Sequence, residues 1–141
     1  MIMARKTTSQ IEQAIYDALE QYFVGRISGM LYPSDCRPLD SNLEDAVISV
    51  GSTSSEQIQT GRAKLNIYVP DIDNNSGRLV PDKERLNELS ILTEDILKIL
   101  NEADTDYLFG LSQATGIIAV PDINQHFVNI NLEFDCITFN N

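Results

Sequence analysis

The sequence contains few of the side chains from which catalytic and metal sites are built. It has one histidine, His126, two cysteines, Cys36 and Cys136, and no tryptophan. Zinc needs three or four ligands at suitable spacing, and one histidine with two distant cysteines does not supply them. Neither cysteine lies in a glycine-rich turn of the kind that presents a nucleophile. We therefore predict a protein that is not an enzyme and that uses no metal and no cofactor.

The chain also lacks the signals of an exported or membrane protein. The segment MIMARKTTSQ has no apolar stretch after its basic pair. No apolar run approaches the roughly 20 residues that span a bilayer. The two cysteines belong to no Cys-x-x-Cys motif; a bond between them is one alternative, but we expect two reduced, partly buried thiols. These absences predict a soluble, cytoplasmic protein with no membrane partner.

Positive charge is scarce, with 10 basic residues against 21 acidic ones and a net charge of -11. Nucleic-acid binding depends on Lys and Arg that neutralise phosphates, and the basic residues here are scattered without forming a stripe. Tight binding to nucleic acid is therefore not expected. The net negative charge has three possible roles. It can keep the protein soluble, bind a basic protein, or line a passage through which DNA moves without binding.

The 141 residues and a hydrophobic content of 43% predict one globular domain, residues 1–141, large enough to fold without a disulfide or a metal. Residues 9–24 place Ile11, Ile15 and Leu19 on one helical face. Ser9 followed by Glu12 predicts a capping box at the start of this helix, and Gly25 stands where it should stop. Pro33 and Pro38 exclude a long regular element from residues 26–43.

Two β-branched segments follow and predict an antiparallel hairpin over residues 44–70. Val47, Ile48 and Val50 form the first strand, and the second, in QIQTGRAKLNIYV, is longer and alternates apolar with polar residues. The adjacent acids Glu44 and Asp45 should point to opposite faces, which is unsuitable for paired acid–base chemistry. We interpret them as a solvated entrance to the strand.

The second half of the chain predicts one more helix and three strands. Residues 81–101 form the helix, with Pro81 at its first position and an apolar stripe at Leu86, Leu89, Thr93, Ile96, Leu97 and Leu100. Residues 106–112 and the run IIAV predict short strands. Residues 126–139 alternate strictly, which predicts a strand with one buried and one wet face. The predicted class is α+β: an antiparallel sheet with a long hairpin and two amphipathic helices packed on one face.

The loop DIDNNSG, residues 71–77, partly matches a calcium-binding pattern. Asp71, Asp73 and Asn75 recur at alternate positions. However, Ser76 stands where the sharp turn needs glycine, and a strand rather than a helix leads into the loop. We therefore predict a flexible connector between sheet and helix.

The order of these segments resembles the small tail-terminator and tail-completion (neck) proteins of long-tailed phages and prophages. The resemblance is carried by IEQAIYDALEQYF, RPLDSNLEDAVISV, IQTGRAKLNIYVPD and FVNINLEFDCITF, and spans nearly the whole chain. It implies a non-enzymatic virion protein that forms a homo-oligomeric ring, stops growth of the tail tube, and contacts other tail or connector proteins.

Long hairpin arms and exposed strand edges supply the side-by-side contacts that a ring needs. We expect the interface in the hairpin arm and in the acidic loop, at Gln57, Ile58, Gln59, Thr60, Arg62, Lys64, Asp71, Asp73 and Asn75. Two alternatives stay open. One is a small, acidic, immunity-type module that binds a basic protein. The other is a small enzyme whose site gathers Asp71, Asp73, His126 and Cys36.

Overall fold

A computed structural model describes residues 7–53, 58–103 and 106–137. It confirms the α+β class. The sheet is mostly antiparallel, and its elements run in the order α1 (Thr8–Phe23), β1 (Leu31–Tyr32), β2 (Ala46–Thr53), β3 (Ile58–Pro70), β4 (Ile72–Asp73), β5 (Leu79–Val80), α2 (Lys83–Ser90), α3 (Leu92–Glu102), β6 (Tyr107–Leu111), β7 (Gly116–Val120) and β8 (Gln125–Ile137).

The main sheet has the order β1-β2-β3-β8-β6, and β7 also pairs with β8, beyond the end of β6. All pairs are antiparallel except β1 with β2. The predicted hairpin is therefore present as β2 and β3. Its long second strand is no projecting arm, because β3 pairs with β8 along its whole length, from Ile58 opposite Ile137 to Pro70 opposite Gln125.

The helices bury their apolar stripes against one face of this sheet. The core combines Ile11, Ile15, Leu19 and Phe23 of α1 with the inward residues of the strands, among them Ile48, Leu65, Ile67, Val128, Ile130 and Leu132. The apolar side chains that recur about every 3.6 residues in the helices thus pack against those that recur every 2 residues in the strands, in a single layer.

The strand β8 departs from the prediction on its second face. Val128, Ile130, Leu132 and Phe134 are buried as expected, but Asn129 and Asn131 on the other face are also only 7% exposed. Their amides are satisfied by one another: Asn131 donates to Asn129, which donates to Asn66 on β3 at 2.7 Å. The face is wet only farther along, at Glu133 and Asp135. The side chain of Cys136 lies outside the described residues.

The first helix starts two residues before the predicted cap. Thr7 is the N-cap: its hydroxyl accepts from the Gln10 backbone N–H at 3.1 Å, and the Gln10 side chain accepts from the Thr7 N–H at 2.9 Å. The capping box is therefore Thr7–Gln10, not Ser9–Glu12. The predicted stop is confirmed, since Gly25 follows the last turn with a φ of 81°.

The second predicted helix is two helices that share one apolar stripe. Pro81 precedes the N-cap Asp82 and is not the first helical residue. The helix breaks at Ile91, where the Ser90 hydroxyl donates to the Leu86 carbonyl at 2.7 Å and the Thr93 hydroxyl donates to the Ser90 carbonyl at 2.9 Å. Such side-chain bonds compete with the helical ladder. The stripe continues across the break, which explains why periodicity alone predicts one helix.

A hydrogen bond from a tyrosine links α1 to α3. The Tyr22 hydroxyl on α1 donates to Asp95 on α3 at 2.9 Å. Burial, with this bond to a carboxylate, raises the pKa of Tyr22 to about 12, above its ordinary value of 10.0. The unfolded chain therefore loses this proton first as the pH rises, so Tyr22 makes the folded state less stable between pH 10 and 12 than below pH 10.

Replacing Tyr22 by Phe should cost about 1 kcal/mol near neutral pH, because Asp95 loses its donor. The deficit of the variant should shrink as the pH rises above 10. Urea unfolding of parent and variant at several pH values measures both effects. A deficit that stays constant up to pH 11 would show that this pair does not carry the pH dependence.

Candidate functional site

A buried carboxylate organises the segment before β2. Asp45 is 0% exposed. It accepts hydrogen bonds from the Met30 backbone N–H, from the Ser41 hydroxyl, and from Arg37 Nε at 2.9 Å. A buried charge is tolerated only when it is paired and hydrogen-bonded in this way. Asp45 is thus a structural anchor with its donors already in place.

The arginine that neutralises Asp45 reaches across the fold. Arg37 also donates to the Gln125 side chain at 2.9 Å, and its guanidinium stacks 4.1 Å from the centroid of the Tyr68 ring. Gln125 in turn donates to the Ser41 carbonyl at 2.8 Å. One buried network therefore fixes the irregular segment to the ends of β3 and β8.

The neighbouring acid is held by a second arginine. Glu44 accepts from Arg85 of α2 through both carboxylate oxygens, at 2.7 and 2.9 Å. These hydrogen bonds raise the pKa of Arg85. The two adjacent acids pair with different arginines, and the predicted solvated entrance is wrong. Both carboxylates are largely buried and paired, and they clamp the segment between the sheet and α2.

The clamp forces one backbone close approach. A Cβ on Gly29 would collide with the Asp45 carboxylate and would lie 2.6 Å from the Glu44 carbonyl oxygen. The Gly29 N–H donates to that carbonyl at 2.8 Å. Glycine is required here because of space, since only a residue without a side chain lets the two segments meet.

The acidic loop folds into a small hairpin. Strands β4 and β5 pair with each other apart from the main sheet, and the turn between them uses left-handed backbone at Asn75 and Gly77. Asp73 caps its own turn by accepting from the Asn75 N–H at 2.8 Å. The predicted connector thus contains a two-stranded hairpin, in whose turn Asp73 serves the backbone.

Asp71 contacts the only histidine. Asp71 Oδ1 lies 2.7 Å from His126 Nδ1 on β8. The structure therefore brings together two of the four residues of the enzyme alternative. Cys36 is a free thiol, and it is exposed rather than partly buried as predicted. Within the described ranges, no three His, Cys, Asp or Glu side chains are grouped so that they could hold a metal ion.

The predicted interface residues of β3 lie on the sheet face that the helices leave uncovered. Thr60, Arg62 and Lys64 are exposed there, beside the β8 residues Asp135, Glu133 and Asn131. Thr60 and Arg62 border an open depression of about 1000 Å³, and Lys64 borders a second one of about 630 Å³. Gln57 lies outside the described residues, and Ile58 and Gln59 are described only as strand backbone.

A surface that the sequence interpretation missed lies at the outer edge of the sheet. Within the described part of the chain, β7 pairs only with β8, and its Ile117 and Ile118 are 46% and 45% exposed. No residue from 107 to 121 is charged. An exposed apolar edge without charges is a template for pairing with another strand. The uncharged run was the signal in the sequence that could have revealed it.

The adjoining strand β6 is protected in a different way. The side-chain amide of Asn101 on α3 accepts from the Phe109 N–H at 2.7 Å and donates to the Phe109 carbonyl at 3.0 Å. The amide therefore occupies the outward peptide groups of Phe109, in the middle of β6, as a neighbouring strand would. Leu108 on β6 is 65% exposed, yet the backbone edge beside it is already blocked.

No helix in the described ranges is long and apolar enough to cross a membrane.

Neither a family model nor a curated protein matches the chain. Among solved structures, the chain is similar to one whose name states no activity. The two are 13% identical, the match covers 97% of this chain and 100% of the other, and the TM-score is 0.49.

Proposed function

We propose that this chain is a non-enzymatic structural protein that assembles with copies of itself into a ring. In this proposal it acts as a tail terminator or head–tail joining component of a long-tailed phage or prophage. The observation that carries the proposal is the uncharged apolar edge strand β7. The sequence resemblance supplies the biological setting.

The edge is informative because of its surroundings. A net charge of -11 makes copies of the chain repel one another over most of their surface. The centres of protein interfaces are depleted in charge and enriched in apolar side chains. On an acidic surface, Ile117 and Ile118 form a strip at which another subunit meets little repulsion. Peptide groups of β7 that have no partner among the described residues would gain one there.

The candidate catalytic groups offer less support for an enzyme. The carboxylates of Asp45 and Glu44 are each paired with an arginine, and Asp73 caps a turn. The pair of Asp71 and His126 ties the base of the β4–β5 hairpin to β8, at the point where the Asp71 N–H also donates to the Asn124 carbonyl. A structural role accounts for each of these groups.

A lysine at Ile118 should abolish assembly, whereas a lysine at Leu108 should not. Both side chains are exposed in the single chain, so neither change should alter the fold. Only the first places an unpaired charge in an interface, which costs more than about 1.4 kcal/mol and so weakens association by at least about tenfold. Size exclusion with light scattering, over a wide concentration range and with and without calcium, measures the mass of parent and variants.

We expect a discrete multi-copy species for the parent and for Leu108→Lys, a monomer for Ile118→Lys, and no effect of calcium. A parent that stays monomeric at every concentration would overturn the proposal and favour the acidic binding module. Equal loss in both variants would show that β7 is not the interface. A mass that depends on calcium would make residues 71–77 a metal site.

A further inference from the structure

The second depression on the uncovered face of the sheet carries positive charge. It measures about 630 Å³, and among the described residues that line it Arg62 and Lys64 are basic and none is acidic. Neither of these side chains forms an ion pair with a described residue. On a chain with a net charge of -11, this depression is therefore a place where an acidic group is attracted.

The floor of this depression adds hydrogen-bond donors. Asn66, Asn129 and Asn131 line it, and the last two are only 7% exposed. Asn131 donates to Asn129, and Asn129 donates to Asn66, so the oxygens of Asn66 and Asn129 accept within this row. A side-chain amide has two N–H groups, and each of the three amides thus keeps at least one for another acceptor. A carboxylate, which only accepts hydrogen bonds, suits this floor.

Apolar side chains complete the depression on its β7 side. Ile118 of β7 and Phe127 of β8 lie opposite each other and both line it. Ile118 is 45% exposed and belongs to the strip at which the proposed subunit contact lies. The depression is therefore continuous with that strip, and it fits a partner that combines an acid with an apolar side chain.

The hairpin of β4 and β5 has this combination. Asp73 lies opposite Leu79 in its ladder, so both side chains point to the same face. Both are exposed, Leu79 to 49%, and Asp73 forms no ion pair within the described part of the chain. Residues 72–79 are all exposed, and the hairpin pairs with no strand of the main sheet, so it protrudes from the fold.

The hairpin lies away from the depression of its own chain. It follows Pro70, which is about 20 Å further along β3 than Lys64. The two surfaces are thus separate, and each is available to a different neighbour. A contact between two different surfaces of identical chains repeats around an axis and can close as a ring.

We infer that subunits join head to tail, with the β4–β5 hairpin of one copy seated in this depression of the next. Asp73 then pairs with Lys64. Leu79 packs against Ile118 and Phe127. The inference rests on the proposed ring, for which it names the two contacting surfaces. Because Ile118 lies in the depression, the expected loss of assembly in Ile118→Lys applies to this contact as well.

Charge reversal tests the pairing. Lys64→Glu and Asp73→Lys are made singly and together, and light scattering over a wide concentration range gives the mass of each variant. The matched controls are Lys98→Glu and Glu102→Lys, which lie exposed on α3 and change the net charge by the same amounts. Urea unfolding checks that each variant is folded.

Each single reversal brings like charges together in the contact and should weaken association at least about tenfold. The double variant should recover the mass of the parent, because the contact again joins opposite charges. Both controls should keep that mass throughout.

Single variants that assemble as the parent does would overturn the inference, and so would a double variant that stays monomeric or an equal loss in the controls. If Ile118→Lys is monomeric in those cases, the proposed function stands with its contact elsewhere. A parent and double variant of two chains only would show reciprocal two-fold pairing and overturn the head-to-tail order. A parent that stays monomeric at every concentration would remove the proposed function itself.

Discussion

Arg37→Met is expected to lower the free energy of unfolding by about 3–5 kcal/mol. The substitution keeps most of the side-chain volume but leaves the Asp45 carboxylate, which is 0% exposed, without its cationic partner. It also removes the donor to the Gln125 side chain and the stacking on Tyr68. Because the network joins the segment before β2 to the ends of two central strands, the loss should appear in global unfolding, measured with urea.

Arg78→Met is the matched control, since Arg78 is exposed in the turn between β4 and β5 and should change stability by less than about 0.5 kcal/mol. The double variant Arg37→Met, Asp45→Leu separates the cost of leaving Asp45 unpaired from the cost of losing the other contacts of Arg37. Removing both charges should recover part of the loss, because no buried carboxylate is left unpaired. A cost of Arg37→Met that equals that of the control would contradict the anchor role.

Gly29→Ala should destabilise the protein by about 3 kcal/mol, at the upper end of the usual cost of overpacking. The new methyl group would meet the Glu44 carbonyl at 2.6 Å and collide with the Asp45 carboxylate. Neither can retreat easily, since the first accepts from the Gly29 N–H and the second is held by Arg37. Thermal or urea unfolding measures the change.

Gly110→Ala provides the comparison for this experiment. It adds the same methyl group on β6, where the nearest atom is 3.9 Å away, and should alter stability by less than about 1 kcal/mol. If Gly29→Ala were as mild as Gly110→Ala, the segment would have room to move, and the close approach would not be a requirement of the fold.

The spacing of apolar residues along the chain predicted helices and strands well where one side of the element is buried. The alternation of Val128, Ile130, Leu132 and Phe134 identified β8, and the helical stripe identified the second helical region. The same stripe concealed the break at Ile91, because Leu89 and Thr93 keep their helical spacing across it. Periodicity reports which side is buried, whereas the break depends on hydrogen bonds from two hydroxyl groups.

Two contacts of the candidate site join residues that are distant in sequence, and for that reason the sequence did not reveal them. Glu44 finds Arg85 41 residues away, and Asp71 finds His126 55 residues away. Glu44 and Asp45 looked solvated because acids usually are. The fold brings Arg85 to Glu44, whereas the partner of Asp45, Arg37, lies only eight residues away in a segment with no regular pattern. Similarly, IIAV was predicted as a strand, but its place at the sheet edge follows from the order in which strands pair.

The position of β8 has a consequence for synthesis of the chain. β8 separates β3 from β6 and β7, yet it follows all of them in sequence. Until the ribosome has made residues 125–137, β3 lacks one neighbour, and β6 and β7 have no ladder partner in the described sheet. In the nascent chain, β6 and β7 thus remain without their partner strand until β8 has been synthesised. Folding of the complete sheet is therefore delayed to the end of translation of this region.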